Sequence, residues 1–243
     1  MTIYQNLENI REKIAVAASE SGRVAADVTL VAVTKTVSVD LINEAILNGI
    51  ADIGENRVQE FLSKESELQP CRRHLIGHLQ RNKVRQIVGK VELIHSVDSV
   101  TLLREIDAQA AKLGITQDIL MQINVSNEES KFGMNPDACR EFVEIAGTLE
   151  NVGLSGVMTI PPMTDDVGYL REIFLRTKAL FDELKAQSSV AKNATAPFKR
   201  SLENLANFDV LSMGMSGDFE VAIECGSTMV RIGSSIFGKR DYY

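Results

Sequence analysis

Residues 29–35 read Thr29-Leu30-Val31-Ala32-Val33-Thr34-Lys35. A run of β-branched and aliphatic residues with no polar alternation is the pattern of a strand buried on both faces, as parallel sheets require. The run ends on a lysine, a residue type almost never buried without a partner. An amine in that place either snorkels to water over its apolar stem or is held in a site. The segment alone leaves both readings open, and the rest of the chain has to decide between them.

Upstream, Ile3, Leu7, Ile10, Ile14 and the pair Ala17-Ala18 recur at helical spacing, so an amphipathic helix opens the chain and Gly22 is its natural stop. Downstream, short apolar runs alternate with helical patterns. The strands are expected at Asp52–Gly54, His74–Gly77, Leu93–Ser96, Ile119–Val125, Leu154–Met158, Phe208–Leu211 and Met229–Ile232. Between them the spacing predicts helices from Asp40, from Val58, around Val84 and Ile87, over Val100–Leu113, from Pro136 or Asp137, over Tyr169–Leu184 and over Phe219–Glu224. With residues 29–33 this gives eight strands, each followed by a helix or a breaker, in 243 residues. That count and length predict a single-domain α/β fold over residues 1–243, a (β/α)8 TIM barrel with an extra N-terminal helix. The polar stretch from Ser188 to Pro197 is expected to be a surface excursion.

Composition narrows the function. The net charge of −7 lacks the basic excess of a nucleic-acid footprint, and the cations at 72–73 and 81–85 suit a solvated helix face. Cys71, Cys139 and Cys225 are odd in number and widely spaced, which fits a reducing compartment rather than a disulfide framework or a zinc ribbon. No apolar run approaches membrane-span length and no signal-like segment opens the sequence, so a cytoplasmic protein without a membrane partner is expected. His74, His78 and His95 have no carboxylate at ligand spacing in sequence, so hydrogen-bonded histidines are expected there and no metal.

In this architecture chemistry sits at the C-terminal ends of the strands, with phosphate held by the loops after strands seven and eight. Two glycine-rich turns fall there, Ser212-Met213-Gly214-Met215-Ser216-Gly217 and Gly233-Ser234-Ser235. Glycines let the backbone approach an anion, and N–H groups at a helix start receive it. A phosphate cradle and a strand-end lysine admit two ligands, a phosphosugar held covalently as in class I aldolases or pyridoxal 5′-phosphate (PLP), whose aldehyde condenses with an amine. Arg231 favours PLP, because a cation just before the phosphate turn has a use opposite a pyridine nitrogen and none toward a sugar.

The motifs Val31-Ala32-Val33-Thr34-Lys35, Gly54-Glu55-Asn56-Arg57-Val58-Gln59-Glu60 and His74-Leu75-Ile76-Gly77-His78-Leu79-Gln80-Arg81-Asn82-Lys83 lie in one order with further motifs. These are Asn124-Val125-Ser126 through Glu129-Ser130-Lys131-Phe132-Gly133, Leu211 to Ser216, and Val230-Arg231-Ile232-Gly233-Ser234-Ser235-Ile236-Phe237-Gly238. Together they resemble the pyridoxal phosphate homeostasis proteins (the YggS/PROSC family) from near residue 5 to the C-terminus. The resemblance implies a barrel like the N-terminal domain of alanine racemase and PLP held as a Schiff base on Lys35. It implies Asn56 beside the cofactor, Ser216 with the backbone of Gly233 and Ser234 on the phosphate, and Arg231 facing the pyridine nitrogen. Ser234 stands where many relatives have Thr, and the hydroxyl is retained. Met158 and Met213 are candidates to pack on the ring.

An arginine keeps its proton at any ordinary pH, so it leaves the ring nitrogen unprotonated and the ring a poor electron sink. Alanine racemase also uses an arginine there, but with a tyrosine from the second domain of the other subunit as partner acid/base. The tyrosines here, Tyr4, Tyr169, Tyr242 and Tyr243, fall at no strand end of the mouth. The expectation is a non-enzymatic PLP carrier that acts in PLP homeostasis and delivery, possible recipients being apo-PLP enzymes, and a monomer. The alternative is a PLP-dependent racemase or lyase of low activity. Lys131 is the candidate to assist release of PLP from Lys35.

Overall fold

A computed structural model describes residues 2–126, 132–191 and 207–238. The chain opens with α1 (Ile3–Glu20), and Thr2 sets its start. The Thr2 hydroxyl accepts the Gln5 N–H at 3.2 Å while Gln5 Oε1 accepts the Thr2 N–H at 3.0 Å, so two donors without helical partners are satisfied reciprocally. The helix ends as expected before Gly22, which takes a left-handed φ of 72°. Its buried face packs against Ile42, Phe219, Ile223 and Ile236, covering the seam where the barrel closes.

Eight parallel strands form a closed barrel in chain order. They are β1 (Thr29–Val33), β2 (Asp52–Glu55), β3 (Arg72–Leu75), β4 (Leu93–Val97), β5 (Gln117–Ile123), β6 (Val152–Thr159), β7 (Val210–Ser212) and β8 (Met229–Ile232). Closure is made by β1 on β8, with Thr29 opposite Met229 and Val31 opposite Arg231. Between the strands run α2 (Val39–Leu47), α3 (Val58–Lys64), α4 (Val84–Ile87), α5 (Val100–Leu113), α6 (Cys139–Gly147), α7 (Val167–Ala191), α8 (Phe219–Glu224) and, after β8, α9 (Ser234–Phe237).

Side-chain alternation along each strand separates two cores. Most of the apolar mass lies between strands and helices, in clusters that include Ala32, Ile53, Leu75, Ile94, Leu211, Met213, Val230 and Ile232. Inside the barrel is a small apolar group of Val31, Leu93, Leu120, Met158 and Met229. Several further inward positions are polar, among them Asp52, His74, His95, Ser212 and Arg231, in a fold whose interior is normally filled by Val, Ile and Leu.

Several boundaries differ from the sequence expectation, each for a local reason. β1, α5, α8 and β8 fall where predicted. β3 begins at Arg72 and stops at Leu75, because Arg72 pairs across to Asp52 and the chain must turn where Gly77 meets β2. A Cβ on Gly77 would lie 2.3 Å from the Asn56 carbonyl oxygen. β5 and β6 start two residues early, because Gln117 and Val152 already pair. β7 begins at Val210, and Phe208 instead stacks on Phe181 of α7 with ring centroids 5.3 Å apart. α7 continues past Leu184 to Ala191, so the expected surface excursion begins later than Ser188, and its part from residue 192 lies outside the described residues.

Candidate functional site

Lys35 lies two residues past the end of β1 and one beyond the last bond to β2, from the Thr34 N–H to the Gly54 carbonyl at 3.0 Å. Val31 faces the barrel interior and Ala32 the outer core. The same alternation puts Lys35 on the inner side and Thr34 on the outer. Lys35 is half-buried and has neither an ion pair nor a hydrogen bond among the described residues. Asn56 stands in the corresponding place after β2, on the side of Asp52 and Gly54, and is also half-buried.

Behind Lys35 lies a buried charged cluster that the sequence did not announce. Thr34 Oγ1 donates to Glu55 Oε1 at 2.7 Å, and Lys64 Nζ reaches Glu55 Oε1 at 2.8 Å, Glu60 Oε1 at 2.8 Å and the Thr34 carbonyl at 2.9 Å. Glu60 also accepts the N–H of Thr36. Thr36 is the one described non-glycine residue with positive φ, at 60°, a strained choice for a β-branched side chain. Lys35 is thus flanked on both sides by residues that this cluster ties down. Glu55 Oε2 is buried with no hydrogen-bond partner, and burial pushes the Glu55 carboxyl up despite its bonds from Lys64 and Thr34.

The two glycine turns come together. The Ser216 hydroxyl accepts the Gly233 N–H at 3.2 Å and the Ser235 N–H at 3.5 Å, which joins the loop after β7 to the start of α9. Gly214 has φ 99°, and a Cβ there would lie 2.7 Å from the Ala222 Cβ, so this turn accepts only glycine. The Gly214 carbonyl takes the Arg231 N–H at 3.0 Å, which binds the turn to β8.

Arg231 lies inside the barrel and is 4% exposed. Its Nη1 donates to Ser212 Oγ at 2.6 Å and its Nη2 to the Thr159 carbonyl at 2.9 Å. No carboxylate lies within ion-pair distance of it among the described residues. Burial pulls its proton affinity down to about 10, with Asp218 opposing from a distance, so it stays charged at neutral pH.

Met213 is not brought to this site. Val210 and Ser212 point inward along β7, which turns the Met213 side chain to the outer core, where it is fully buried. Met158 is inside the barrel but packed among Val31, Leu93, Leu120 and Met229 as core. Lys131, Tyr242 and Tyr243 lie outside the described residues. Two of the three histidines do find carboxylates, supplied across the fold rather than by sequence spacing, while His95 contacts His74 and Ser212. His74 Nε2 is 3.1 Å from Asp52 Oδ1, and at the mouth His78 Nδ1 is 3.5 Å from Asp98 Oδ2 with its ring stacked on Phe132. Among the described residues no three His, Cys, Asp or Glu side chains gather as metal ligands do.

A half-buried lysine, two glycine turns joined through Ser216 and a buried arginine lie at one mouth of a barrel of the alanine-racemase N-terminal-domain fold. Residues 5–241 match the family described as alanine racemase, N-terminal domain. The pyridoxal phosphate homeostasis protein of Aquifex aeolicus is 41% identical over the whole of both chains. PipY of Synechococcus elongatus, whose structure was solved with PLP bound, superposes with a TM-score of 0.81 at 30% identity, covering 98% of this chain and all of that one. Alanine racemase of Clostridium difficile shares the fold, with a TM-score of 0.71 at 15% identity, and this chain corresponds to 57% of its length. The chain belongs to the pyridoxal phosphate homeostasis family, within the alanine racemase N-terminal-domain fold.

Proposed function

We propose that this protein binds PLP reversibly through Lys35 and serves PLP homeostasis as a carrier rather than as an enzyme. The observation that carries the reading is the meeting, at one end of one barrel, of Lys35, the Ser216–Gly233 cradle and the buried Arg231 guanidinium. These groups fit the cofactor's chemistry. A lysine without an ion-pair partner among the described residues is free to act as the amine, the Ser216 hydroxyl (which accepts the Gly233 N–H and so keeps its own O–H to donate) with the Ser234 N–H suits a phosphate, and Arg231 is a donor for a ring nitrogen. When bound, PLP supplies an aldehyde that condenses with an amine.

Each residue then has a defined duty. Lys35 is the attachment point, and the Lys64 cluster holds its flanking residues in place. Asn56 would lie beside the ring. Arg231 keeps its proton and so leaves the ring nitrogen without one, which disfavours carbanion chemistry. The two described tyrosines, Tyr4 in α1 and Tyr169 in α7, sit on helices rather than at strand ends, which supports a site without the second acid/base of a racemase. Lys131 is proposed to take PLP from Lys35 during release, and an unchanged PLP transfer rate in Lys131→Ala contradicts that role.

The expected setting is a cytoplasmic monomer delivering PLP to apo-enzymes. Cys71, Cys139 and Cys225 are free thiols, and no described helix is long and apolar enough to cross a membrane. The carrier reading is separated from a racemase or lyase by incubating the loaded protein with single amino-acid enantiomers in deuterium oxide. Stoichiometric spectral change without Cα exchange is expected, whereas multiple-turnover exchange or inversion contradicts it.

A further inference from the structure

Five polar residues inside the barrel form one connected chain. From the mouth inward, Arg231 Nη1 contacts Ser212 Oγ at 2.6 Å, Ser212 Oγ contacts His95 Nδ1 at 3.2 Å, His95 Nε2 contacts His74 Nδ1 at 3.0 Å, and His74 Nε2 contacts Asp52 Oδ1 at 3.1 Å. All five residues are buried, and they come from β8, β7, β4, β3 and β2. At the far end Arg72 grips Asp52 with two bonds, at 2.7 and 2.6 Å, beside a cavity of about 270 Å³ on the barrel floor that His74 and Asp52 also line.

The two ends fix the direction of every bond between them. A guanidinium can only donate and an ionised carboxylate can only accept. Burial alone would raise the Asp52 carboxyl, but the hydrogen bonds of His74 and Arg72 and the Arg72 charge work against it, and the group lies below its ordinary value, hence ionised. Ser212 Oγ accepts the hydrogen bond from Arg231 Nη1, so its own O–H is free to donate to His95 Nδ1. His95 then carries its proton on Nε2 and donates to His74 Nδ1, and His74 donates from Nε2 to Asp52. Both rings are neutral in this scheme, and burial, with His74 and Arg231 nearby, pushes His95 well below the ordinary imidazole range. The opposite sense needs an extra proton on His74 and leaves the Ser212 hydroxyl proton with no acceptor in the chain.

We infer that Ser212, His95, His74 and Asp52 are positioning residues for Arg231, a one-way hydrogen-bond chain that gives the buried guanidinium a remote anion and aims it at the ring nitrogen. The inference rests on the proposed PLP site. Among the described residues Arg231 has no direct carboxylate, and a buried charge without compensation is costly. The chain meets that need with the carboxylate at its far end, away from Arg231, where one beside the ring would hold a proton on the nitrogen.

Two measurements test it. In the apo-protein at pH 7, long-range proton–nitrogen correlation of the histidine side chains is expected to show His74 and His95 both neutral with the proton on Nε2. A doubly protonated His74, or a proton on Nδ1 of His95, overturns the chain. Second, PLP titration of the wild type, His95→Leu, His95→Gln and Asp52→Asn is read by the dissociation constant and by the ring nitrogen resonance of bound 15N-labelled PLP. His95→Leu is expected to bind about tenfold more weakly, the loss of roughly one charge-assisted hydrogen bond, with a shifted ring resonance. His95→Gln can accept and donate in the same sense and is expected to restore most of the affinity. Asp52→Asn keeps the shape at the far end and is expected to move the ring resonance from there. If the leucine and asparagine variants bind PLP with wild-type constants and unmoved resonances, the chain is only packing and the inference falls. A wild type that takes up no PLP overturns the functional proposal itself, a distinct result.

Discussion

At the scale of the residue, the behaviour of Lys35 depends on Lys64, a second lysine behind it. Lys64 Nζ holds two carboxylates and the Thr34 carbonyl in a nearly dry place, with Glu55 only 2% exposed. Removing one partner of a buried ion pair strands the other charge, at a cost of about 3–5 kcal/mol. Lys64→Met is therefore expected to lower urea stability by that amount, and the double variant with Glu55→Gln to recover much of it by removing the stranded charge. Unfolding curves that place Lys64→Met within about 0.5 kcal/mol of wild type, the range of an ordinary surface change, contradict a buried clamp. Sequence could not reveal this cluster. Lys64 lies on α3 and Glu55 on β2, and their types read as solvent-facing until the fold buries them.

At the scale of the element, the critical approach is between the ends of β2 and β3. Gly77 lets the β3 loop lie against the Asn56 backbone, with no room for a Cβ. Gly77→Ala must push the two strand ends apart, so a loss on the order of 1–3 kcal/mol is expected, with weaker PLP binding because Asn56 moves too. An alanine variant with wild-type urea midpoint and PLP affinity contradicts that geometry. Much of this level was legible beforehand. The strand runs at 29–33 and 229–232 are apolar apart from Thr29 and Arg231, and helix 100–113 has its Gly114 stop, so these came out as read. The turns that join Ser216 to Gly233 were visible as glycine-rich segments after the right strands. What escaped was set by pairing across strands. Whether Met213 faces in or out depends on the phase of β7, and the early start of β3 depends on Arg72 finding Asp52.

At the scale of the whole molecule, the barrel encloses a titratable interior, and this ties global stability to pH. His95 is held far below its ordinary proton affinity by burial, aided by His74 and Arg231, so the unfolded chain binds a proton that the folded chain refuses. The unfolded state therefore gains as pH falls through about 6.5, and this group alone contributes a loss of up to roughly 1.4 kcal/mol per pH unit below it. The lowered Asp52 acts in a separate window, because its contribution is present at neutral pH and is lost only on acidification below about pH 4. Urea midpoints from pH 7.5 to 5.5 are expected to fall more steeply for the wild type than for His95→Gln, and parallel profiles contradict a buried neutral His95.

The claim on which the others depend is that Lys35 carries the cofactor. The direct measurement is borohydride reduction of the PLP-loaded protein followed by peptide mass mapping, alongside Lys35→Ala. The account predicts a pyridoxyl adduct confined to the peptide containing Lys35 and none in the alanine variant. A stable adduct on another lysine of the wild type with Lys35 unlabelled, or full PLP loading and labelling of Lys35→Ala, contradicts it.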